Sequence, residues 1–185
     1  TQWWTSYQPV SYKLDSKLGT EAEFKNMIKQ CNAVGVDIIA DVVLNQTTGA
    51  DVADGKQTGG TGTEYNGSTG DYPGFATEQY PEGITASDFH SCSKNISNYA
   101  NQQEVQECRL SSMWDFDSES EKVQDIQSDY LAALWNAGVR GFRMDAVKHI
   151  HTDSMKAIKE KFAKKIGVNA DSIYWIQEVI GNSSE

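Results

Sequence analysis

Apolar residues recur along this chain in two alternating patterns, one with helical spacing and one with the continuous runs typical of buried strands. The first helical stretch begins at a capping box formed by Thr20 and Glu23. Three helical stretches end at glycines, which are Gly35, Gly138 and Gly167. The apolar runs VDIIADVV, GFRMDAV and IYWIQEVI follow these glycines closely. Helices and strands that alternate through short junctions predict an α/β fold with a parallel sheet, either doubly wound or closed into a barrel.

Residues 47–114 interrupt this alternation. The segment is rich in Gly, Thr, Asn and Ser, has no helical spacing, and is much longer than ordinary strand-to-helix loops. A disordered linker is the alternative, but the segment carries several aromatic residues, namely Tyr65, Tyr72, Phe75, Tyr80, Phe89 and Tyr99. We therefore predict an irregular or β-rich inserted domain over 47–114, between parts of the parallel-sheet domain at 1–46 and 115–185.

Three carboxylates stand inside or just after the apolar runs: Asp41, Asp145 and Glu178. Burying an ionised carboxylate without a partner costs on the order of several kcal/mol of folding free energy. For any one of them, a satisfied ion pair or a helix cap is an adequate explanation. Three such residues near strand carboxyl ends fit convergence on one site better, because these ends meet at one edge of a parallel sheet.

Strand alternation assigns these carboxylates different surroundings. Arg143 and Asp145 share a face, which should favour the ionised form of Asp145. Glu178 shares its face with Tyr174 and Ile176, an apolar setting that should raise the pKa of the Glu178 carboxyl. One ionised and one protonated carboxyl is the division of roles that glycoside hydrolysis requires.

The composition of the chain excludes some classes of binding partner. The formal net charge of −10 and the isoelectric point near 4.7 argue against nucleic acid or an anionic membrane, and suit neutral substrates or cations. No apolar stretch approaches the length that a membrane span requires. No GxGxxG or Walker A pattern follows any predicted strand, which weighs against a nucleotide-binding fold.

The chain has three cysteines. Cys92 and Cys108 flank a polar segment of the kind that disulfides stabilise, although two unpaired thiols remain the alternative. Cys31 is left over. Glycosylation triplets compatible with secretion begin at Asn45, Asn66, Asn95 and Asn182.

Several segments resemble a known family. DVVLNQ, GFRMDAVKH and QEVI resemble three of the four signature segments of the α-amylase family of glycoside hydrolases. WWTSYQPVSYKL, CNAVGV and EVQECRL are similar to the animal and actinobacterial branch. The resemblance implies a partial (β/α)8 TIM barrel of about three strands, with barrel parts at 1–46 and 115–185 and a calcium-binding insertion at 47–114 after the third barrel strand. It also implies a longer complete enzyme, so we expect the isolated chain to be poorly folded and inactive.

The resemblance assigns roles to individual residues. It implies endo-hydrolysis of α-1,4-glucosidic bonds in starch, glycogen and maltooligosaccharides with retention of configuration. Asp145 matches the nucleophile and Glu178 the general acid, with carboxyl groups expected about 5–5.5 Å apart. Arg143 matches the arginine that orients the nucleophile and, in many relatives, helps to bind chloride. The matched substrate contacts are Trp3, Trp4, Tyr7, Gln8, Asp41, Gln46, Arg143, Lys148 and His149.

The family's calcium site maps onto the side chains of Asn45 and Asp115 and the backbone carbonyls of Gln106 and His149. These are hard oxygen ligands, as calcium requires. The resemblance further implies an extracellular, monomeric protein, and Asn45 should stay unglycosylated if it binds the ion.

One residue departs from the family pattern, because Gln46 stands where the family usually has a histidine that contacts the sugar. Gln can exchange hydrogen bonds but cannot carry a proton charge, so we expect reduced or pH-shifted activity. The same barrel also occurs in transglycosylating and debranching enzymes, and in non-catalytic relatives that bind sugar or act as scaffolds. The presence of Asp41, Arg143, Asp145 and Glu178 favours an enzyme.

Overall fold

The structure is a computed structural model that describes residues 3–49, 56–58, 64–66 and 84–181. Its helices are α1 (Trp4–Tyr7), α2 (Glu21–Ala33), α3 (Gln102–Glu107), α4 (Glu121–Ala137) and α5 (Thr152–Ile166). Its strands are β1 (Ile39–Val42), β2 (Lys56–Thr58), β3 (Glu64–Asn66), β4 (Cys92–Asn95), β5 (Cys108–Arg109), β6 (Gly141–Met144) and β7 (Tyr174–Gln177). Short 3-10 helices span Ala86–Asp88, Val147–His149 and Ala170–Ser172.

A parallel sheet of three strands organises the molecule, in the order β1-β6-β7. Helix α2 precedes β1, α4 precedes β6 and α5 precedes β7, so the predicted alternation of helix and parallel strand is confirmed. Strand β1 is shorter than the apolar run VDIIADVV. In the register of the sheet Arg143 lies between Asp41 on one side and Ile176 on the other.

The helix boundaries follow local chemistry. Thr20 and Glu23 form the predicted capping box, in which the Thr20 amide donates to the Glu23 carboxylate at 2.8 Å. Gly138 ends α4 in the left-handed region, with φ of 110°. A Cβ atom there would lie only 2.7 Å from Cγ2 of Ile28, so this junction requires glycine both for its backbone conformation and for the close approach of α2.

The two faces of the sheet differ sharply. Helices α4 and α5 cover one face, where Leu131, Phe142, Met144, Ile158 and Phe162 are all buried in one core. The other face carries Ile39, Tyr174 and Ile176, which are 46%, 59% and 40% exposed. Asp41 and Arg143 stand on this same open face, because they alternate with the core residues along their strands.

The inserted segment leaves and rejoins the sheet domain at one place. Gln46 pairs with Asp115 in an antiparallel bridge, and the Thr47 amide donates to the Trp114 carbonyl at 2.9 Å. Within the segment, α3 was not predicted, because six residues are too few to display helical spacing. Its start is capped by Asn101, whose side chain accepts from the amide of Glu104.

Cys92 and Cys108 form a disulfide that joins β4 to β5, which agrees with the predicted pairing. Cys31 is a half-buried free thiol on α2.

Of the aromatic residues predicted to support the insertion, Phe89 is 5% exposed and stacks on Phe116. Tyr72, Phe75 and Tyr80 lie outside the described residues. In the described part of the chain, no helix has the length and apolar character needed to cross a membrane.

Candidate active site

The acidic residues singled out by the sequence meet at the carboxyl edge of the three-stranded sheet. Asp41 lies within β1, Asp145 directly follows β6, and Glu178 directly follows β7. The parallel hydrogen bonding continues past the strand ends, since the Asp145 amide donates to the Val42 carbonyl and the Glu178 amide to the Met144 carbonyl. These backbone hydrogen bonds keep Asp145 and Glu178 next to the carboxyl ends of their neighbouring strands.

Arg143 lies at the centre of this group. Its Nη1 donates to Oδ1 of Asp41 at 2.6 Å and to Oδ1 of Asp145 at 2.7 Å, while its Nη2 lies 2.6 Å from Oε1 of Glu178. Three carboxylates thus share one guanidinium, whose fork geometry suits such contacts. Burial alone would lower the pKa of the Arg143 guanidinium, but hydrogen bonds to Asp41 and Asp145 raise it above its ordinary value.

The sequence predicted different surroundings for the two carboxyls: the guanidinium beside Asp145 is confirmed, whereas the predicted apolar setting of Glu178 is wrong. Burial raises the pKa of Asp145 above its ordinary value, and the negative charges of Glu178 and Asp41 add to this effect. The hydrogen bond and charge of Arg143 act in the opposite direction without prevailing. Glu178 is not in an apolar setting, because it pairs with Arg143 and its neighbours on the strand face are open to solvent.

The residue after Asp145 has a strained backbone conformation, and its amide binds the Glu178 carboxylate. Ala146 has φ of 48° and ψ of 40°, the left-handed region that non-glycine residues rarely adopt. Its amide donates to Oε2 of Glu178 at 3.0 Å. Strain of this kind concentrates at functional sites. No residue pattern indicated it, since alanine is an unremarkable residue in a strand-to-helix turn.

Tyr7 supports the outer side of the group. Its hydroxyl donates to Oδ2 of Asp41 at 2.7 Å, and the Arg143 guanidinium lies 6.0 Å from the centre of its ring. The hydrogen bond to Asp41 raises the pKa of Tyr7, with burial and the Asp41 charge in support. Gln8, from the same segment, instead accepts a hydrogen bond from the Gly49 amide at 3.1 Å.

A cleft of about 470 Å³ opens beside the two carboxyls, and it is lined by both Asp145 and Glu178. Trp3, which is half exposed, and Lys148 contribute to its walls; both are among the predicted substrate contacts. Tyr99 also lines it, 40% exposed, with the Lys148 ammonium 5.2 Å from its ring centre. The sequence pattern predicts Tyr99 only as an aromatic that supports the fold of the insertion; its position as an aromatic in a polar segment is the signal that could have identified it.

Not every predicted substrate contact opens into this cleft. Gln46 is 2% exposed, and neither atom of its side-chain amide has a hydrogen-bond partner among the described residues. The side chain of Trp4 lies outside the described part. His149 lines the cleft, but its ring is largely buried and Nδ1 faces the Val105 carbonyl at 2.8 Å. Burial lowers the pKa of His149, so its ring is neutral at physiological pH.

The four residues matched to a calcium site lie in a buried polar cluster behind the cleft. Nδ2 of Asn45 donates both to Oδ2 of Asp115 at 2.8 Å and to the His149 carbonyl at 2.9 Å. Burial raises the pKa of Asp115 to about 7, against the opposing effect of its bond to His90. Gln106 is 6% exposed, and its Nε2 donates to the Ile150 carbonyl at 3.3 Å.

Two buried oxygens of this cluster are unpaired. Oδ1 of Asn45 and Oε1 of Gln106 have no hydrogen-bond partner within the described ranges. Buried oxygens without partners are costly, and such groups call for an explanation. Rotating the Asn45 amide by a half-turn would aim Oδ1 at the Asp115 carboxylate and the His149 carbonyl. Three oxygens facing one another would be stabilised by a cation between them, so the donor set fits a hard metal ion.

The chain is similar to known proteins over nearly its whole length. The family model described as Alpha amylase, catalytic domain, matches residues 5–179. The α-amylase of Streptomyces violaceus is 38% identical over 184 residues, which cover 100% of this chain and 29% of that protein. The α-amylase of Pecten maximus is 38% identical over 156 residues, covering 84% of this chain and 30% of the relative.

Solved structures of α-amylases also superpose on this chain. Wild-type α-amylase I of Eisenia fetida superposes with a TM-score of 0.80 at 36% identity, covering 96% of this chain and 36% of that one. A variant of the same enzyme in complex with maltohexaose superposes with a TM-score of 0.81 at 35% identity. The match covers 98% of this chain and 37% of that one. The parallel strands and helices are therefore part of a TIM barrel, as predicted, and the chain spans about 30% of the length of the curated relatives it matches. This chain belongs to the α-amylase family of glycoside hydrolases.

Proposed function

We propose that the complete protein containing this chain is an α-amylase, which hydrolyses α-1,4-glucosidic bonds within starch, glycogen and maltooligosaccharides and retains configuration. One observation carries the proposal: Arg143 joins Asp145 and Glu178 through separate nitrogens at the open end of a parallel sheet, beside a cleft. Two carboxyls held on one guanidinium fit a double displacement, in which both must face the same bond.

In this proposal the Asp145 carboxylate attacks the anomeric carbon and forms a covalent glycosyl ester. Glu178 gives its proton to the departing glycosidic oxygen, and later takes a proton from the water that hydrolyses the ester. Arg143 orients Asp145 through the 2.7 Å hydrogen bond and lowers the pKa of its carboxyl against the larger effect of burial.

The walls of the cleft suit a glucan. Trp3 and Tyr99 present aromatic surface that can pack against the apolar faces of sugar rings. Lys148 in the cleft wall offers a charged group for hydroxyls. The Asp41–Tyr7 pair, next to Arg143, offers further polar groups. Chloride is a further candidate ligand of Arg143 in the complete enzyme. The maltohexaose complex of the Eisenia fetida relative supports an oligosaccharide as the ligand class.

Trapping the intermediate tests the proposal directly. The complete enzyme would be treated with a 2-deoxy-2-fluoro maltosyl fluoride and analysed by peptide mass spectrometry, with an adduct expected on Asp145. Asp145→Asn should abolish the adduct, while the matched exposed control Asp153→Asn should leave it unchanged. A protein that binds maltooligosaccharides yet forms no adduct and releases no sugar would support a non-catalytic binder instead. Transfer products in place of shorter maltooligosaccharides would indicate a transglycosylase.

The proposed enzyme binds calcium through Asn45, Asp115 and the carbonyls of His149 and Gln106. The unpaired Oδ1 of Asn45, on the same amide whose nitrogen contacts the Asp115 carboxylate, supports this. Calcium there would neutralise Asp115 and tie the insertion to the sheet domain. Chelation should lower the thermal midpoint of the complete protein, and Asp115→Asn should remove most of that difference. Equal losses on chelation in both proteins would show that calcium binds elsewhere.

The proposed enzyme is secreted. The Cys92–Cys108 disulfide supports an oxidising compartment. Asn45 is fully buried and cannot carry a glycan, whereas Asn95 is exposed in a second glycosylation triplet. Glycopeptide analysis of the natural protein should therefore find no glycan at Asn45, whereas Asn95 is accessible to one. A glycan on Asn45 would contradict both the burial and the calcium assignment.

A further inference from the structure

A second polar cluster lies outside the cleft, where the insertion meets the sheet domain. His90 comes from the insertion, Glu119 from the segment before α4, and His151 from the residue that precedes α5. One ligand atom from each lies within 4.8 Å of the other two. Nε2 of His90 is 3.2 Å from Oε2 of Glu119, and Nε2 of His151 is 2.7 Å from Oε1 of the same carboxylate.

We propose that His90, Glu119 and His151 form a binding site for a divalent transition metal of the zinc class, separate from the calcium cluster. Two imidazoles and one carboxylate are the donors that zinc prefers, whereas calcium takes oxygen ligands alone. Ligand atoms around a tetrahedral zinc lie about 3.3 Å apart. The distance from His90 to Glu119 already meets this value, and a small inward movement of His151 completes the set.

The orientation of His90 supports a metal ligand. Its side chain is 9% exposed, and Nδ1 lies 2.7 Å from Oδ1 of the buried Asp115. This bond fixes the ring so that Nε2 points into the cluster. Metal-binding histidines commonly have such a carboxylate partner on the nitrogen that faces away from the metal.

The His151 ring supplies a second indication. Its Nε2 is buried and makes no hydrogen bond within the described residues, although a Glu119 oxygen is 2.7 Å away. A buried ring nitrogen of His151 therefore lies next to a carboxylate without forming a hydrogen bond to it. Glu107 and Asp117 lie at 3.7 Å from His151 and 3.8 Å from His90, and their negative charges would further attract a cation.

Without metal, the same residues form a network of ion pairs. Burial would lower the pKa of His90, but Asp115 and the nearby acidic groups raise it to about 9. A metal would take the place of any proton on Nε2 of His90, while the Nδ1 contact with Asp115 remains. Bound metal would tie three separate chain segments together, and it would act on the calcium cluster through Asp115, which contacts both His90 and Asn45.

Metal titration of the complete protein tests this site, by calorimetry with Zn²⁺ and by visible absorption with Co²⁺, in the presence and absence of calcium. We expect one site with imidazole ligation and a higher thermal midpoint in Zn²⁺. Glu119→Gln and His151→Asn should each weaken binding by at least about tenfold. Asn is a favourable residue at the start of a helix, so His151→Asn removes the ligand without removing a cap from α5.

Glu121→Gln is the matched control, because Glu121 is 86% exposed and lies in the first turn of α4 near Glu119. It should bind metal as the unchanged protein does. Equal zinc affinity in Glu119→Gln, His151→Asn and the unchanged protein would overturn the proposal. So would an absence of zinc binding combined with lower thermal midpoints in both variants, which would identify the cluster as an ion-pair network only.

Discussion

Nη2 of Arg143 lies 2.6 Å from Oε1 of Glu178, so the arginine expected to orient the nucleophile also holds the proposed general acid. The sheet register explains this contact, because β6 lies between β1 and β7 and Arg143 is flanked by both neighbours. One cation therefore organises carboxylates from three strands. The protonation states of these groups depend on one another.

Replacing Arg143 should affect both rate and pH dependence. Arg143→Gln in the complete enzyme is expected to lower kcat by about 10²-fold or more, because a charge that is fixed before reaction is lost. Since Arg143 lowers the pKa of Asp145, its removal should also move the acidic limb of the kcat/KM profile to higher pH. Arg143→Lys should restore the charge but not the fork, and so recover only part of the rate. An unchanged acidic limb would contradict the assignment.

Asp41→Asn should shift the same limb in the opposite direction. The charge of Asp41 raises the pKa of Asp145, and the nucleophile must be ionised to react. Removing that charge lets Asp145 ionise at lower pH, so activity should persist further into acid when each profile is scaled to its own maximum. Asp153→Asn, an exposed carboxylate on α5, is the control and should leave the limb in place.

Gln46→His should raise kcat/KM in the complete enzyme, because histidine restores the group that the family uses near the sugar. Gln46→Leu separates this effect from packing. It removes two buried polar atoms without partners, and should stabilise the fold by about 1 kcal/mol without increasing the rate. Equal kcat/KM values in the Gln and His proteins would indicate that position 46 does not limit catalysis.

The disulfide should matter for stability more than for chemistry. The Cys92–Cys108 bridge closes a loop with a sequence separation of 16 residues, and loops of this length are stabilised by about 3 kcal/mol. Replacing both cysteines with serine should lower the thermal midpoint measured by calorimetry. Cys31→Ser is the control, since Cys31 is a free thiol, and it should change the midpoint little. Equal midpoints in the double variant and the unchanged protein would argue against the bridge.

The isolated 185 residues should be inactive and unfold without a cooperative transition. Within the described ranges, β1 and β7 each pair on one side only, and the sheet face with Ile39, Tyr174 and Ile176 is open to solvent. Exposed strand edges and apolar faces favour aggregation over a single folded state. Calorimetry and a starch hydrolysis assay on this segment alone would test this, and a sharp transition with activity would refute it.

Residue patterns were sufficient for the helices and strands of the sheet domain. Helical spacing, the Thr20–Glu23 capping box and the glycines after α2, α4 and α5 all reflect local backbone chemistry. They were insufficient for α3, whose six residues are too few to display a period. They were also insufficient to place Tyr99 in the cleft wall, because its position depends on how the insertion packs beside Asp145 and Glu178.

The sequence by itself determined which chemical groups are present, their order along the strands and the face on which each one stands, because a strand alternates its side chains with a period of two. Tertiary structure alone decided how these groups act on one another. Burial raised the pKa of Asp145 despite the adjacent arginine, and strand order brought Glu178 onto that same arginine. Desolvation and contacts across strands depend on distance in space, and no spacing along the chain encodes their balance.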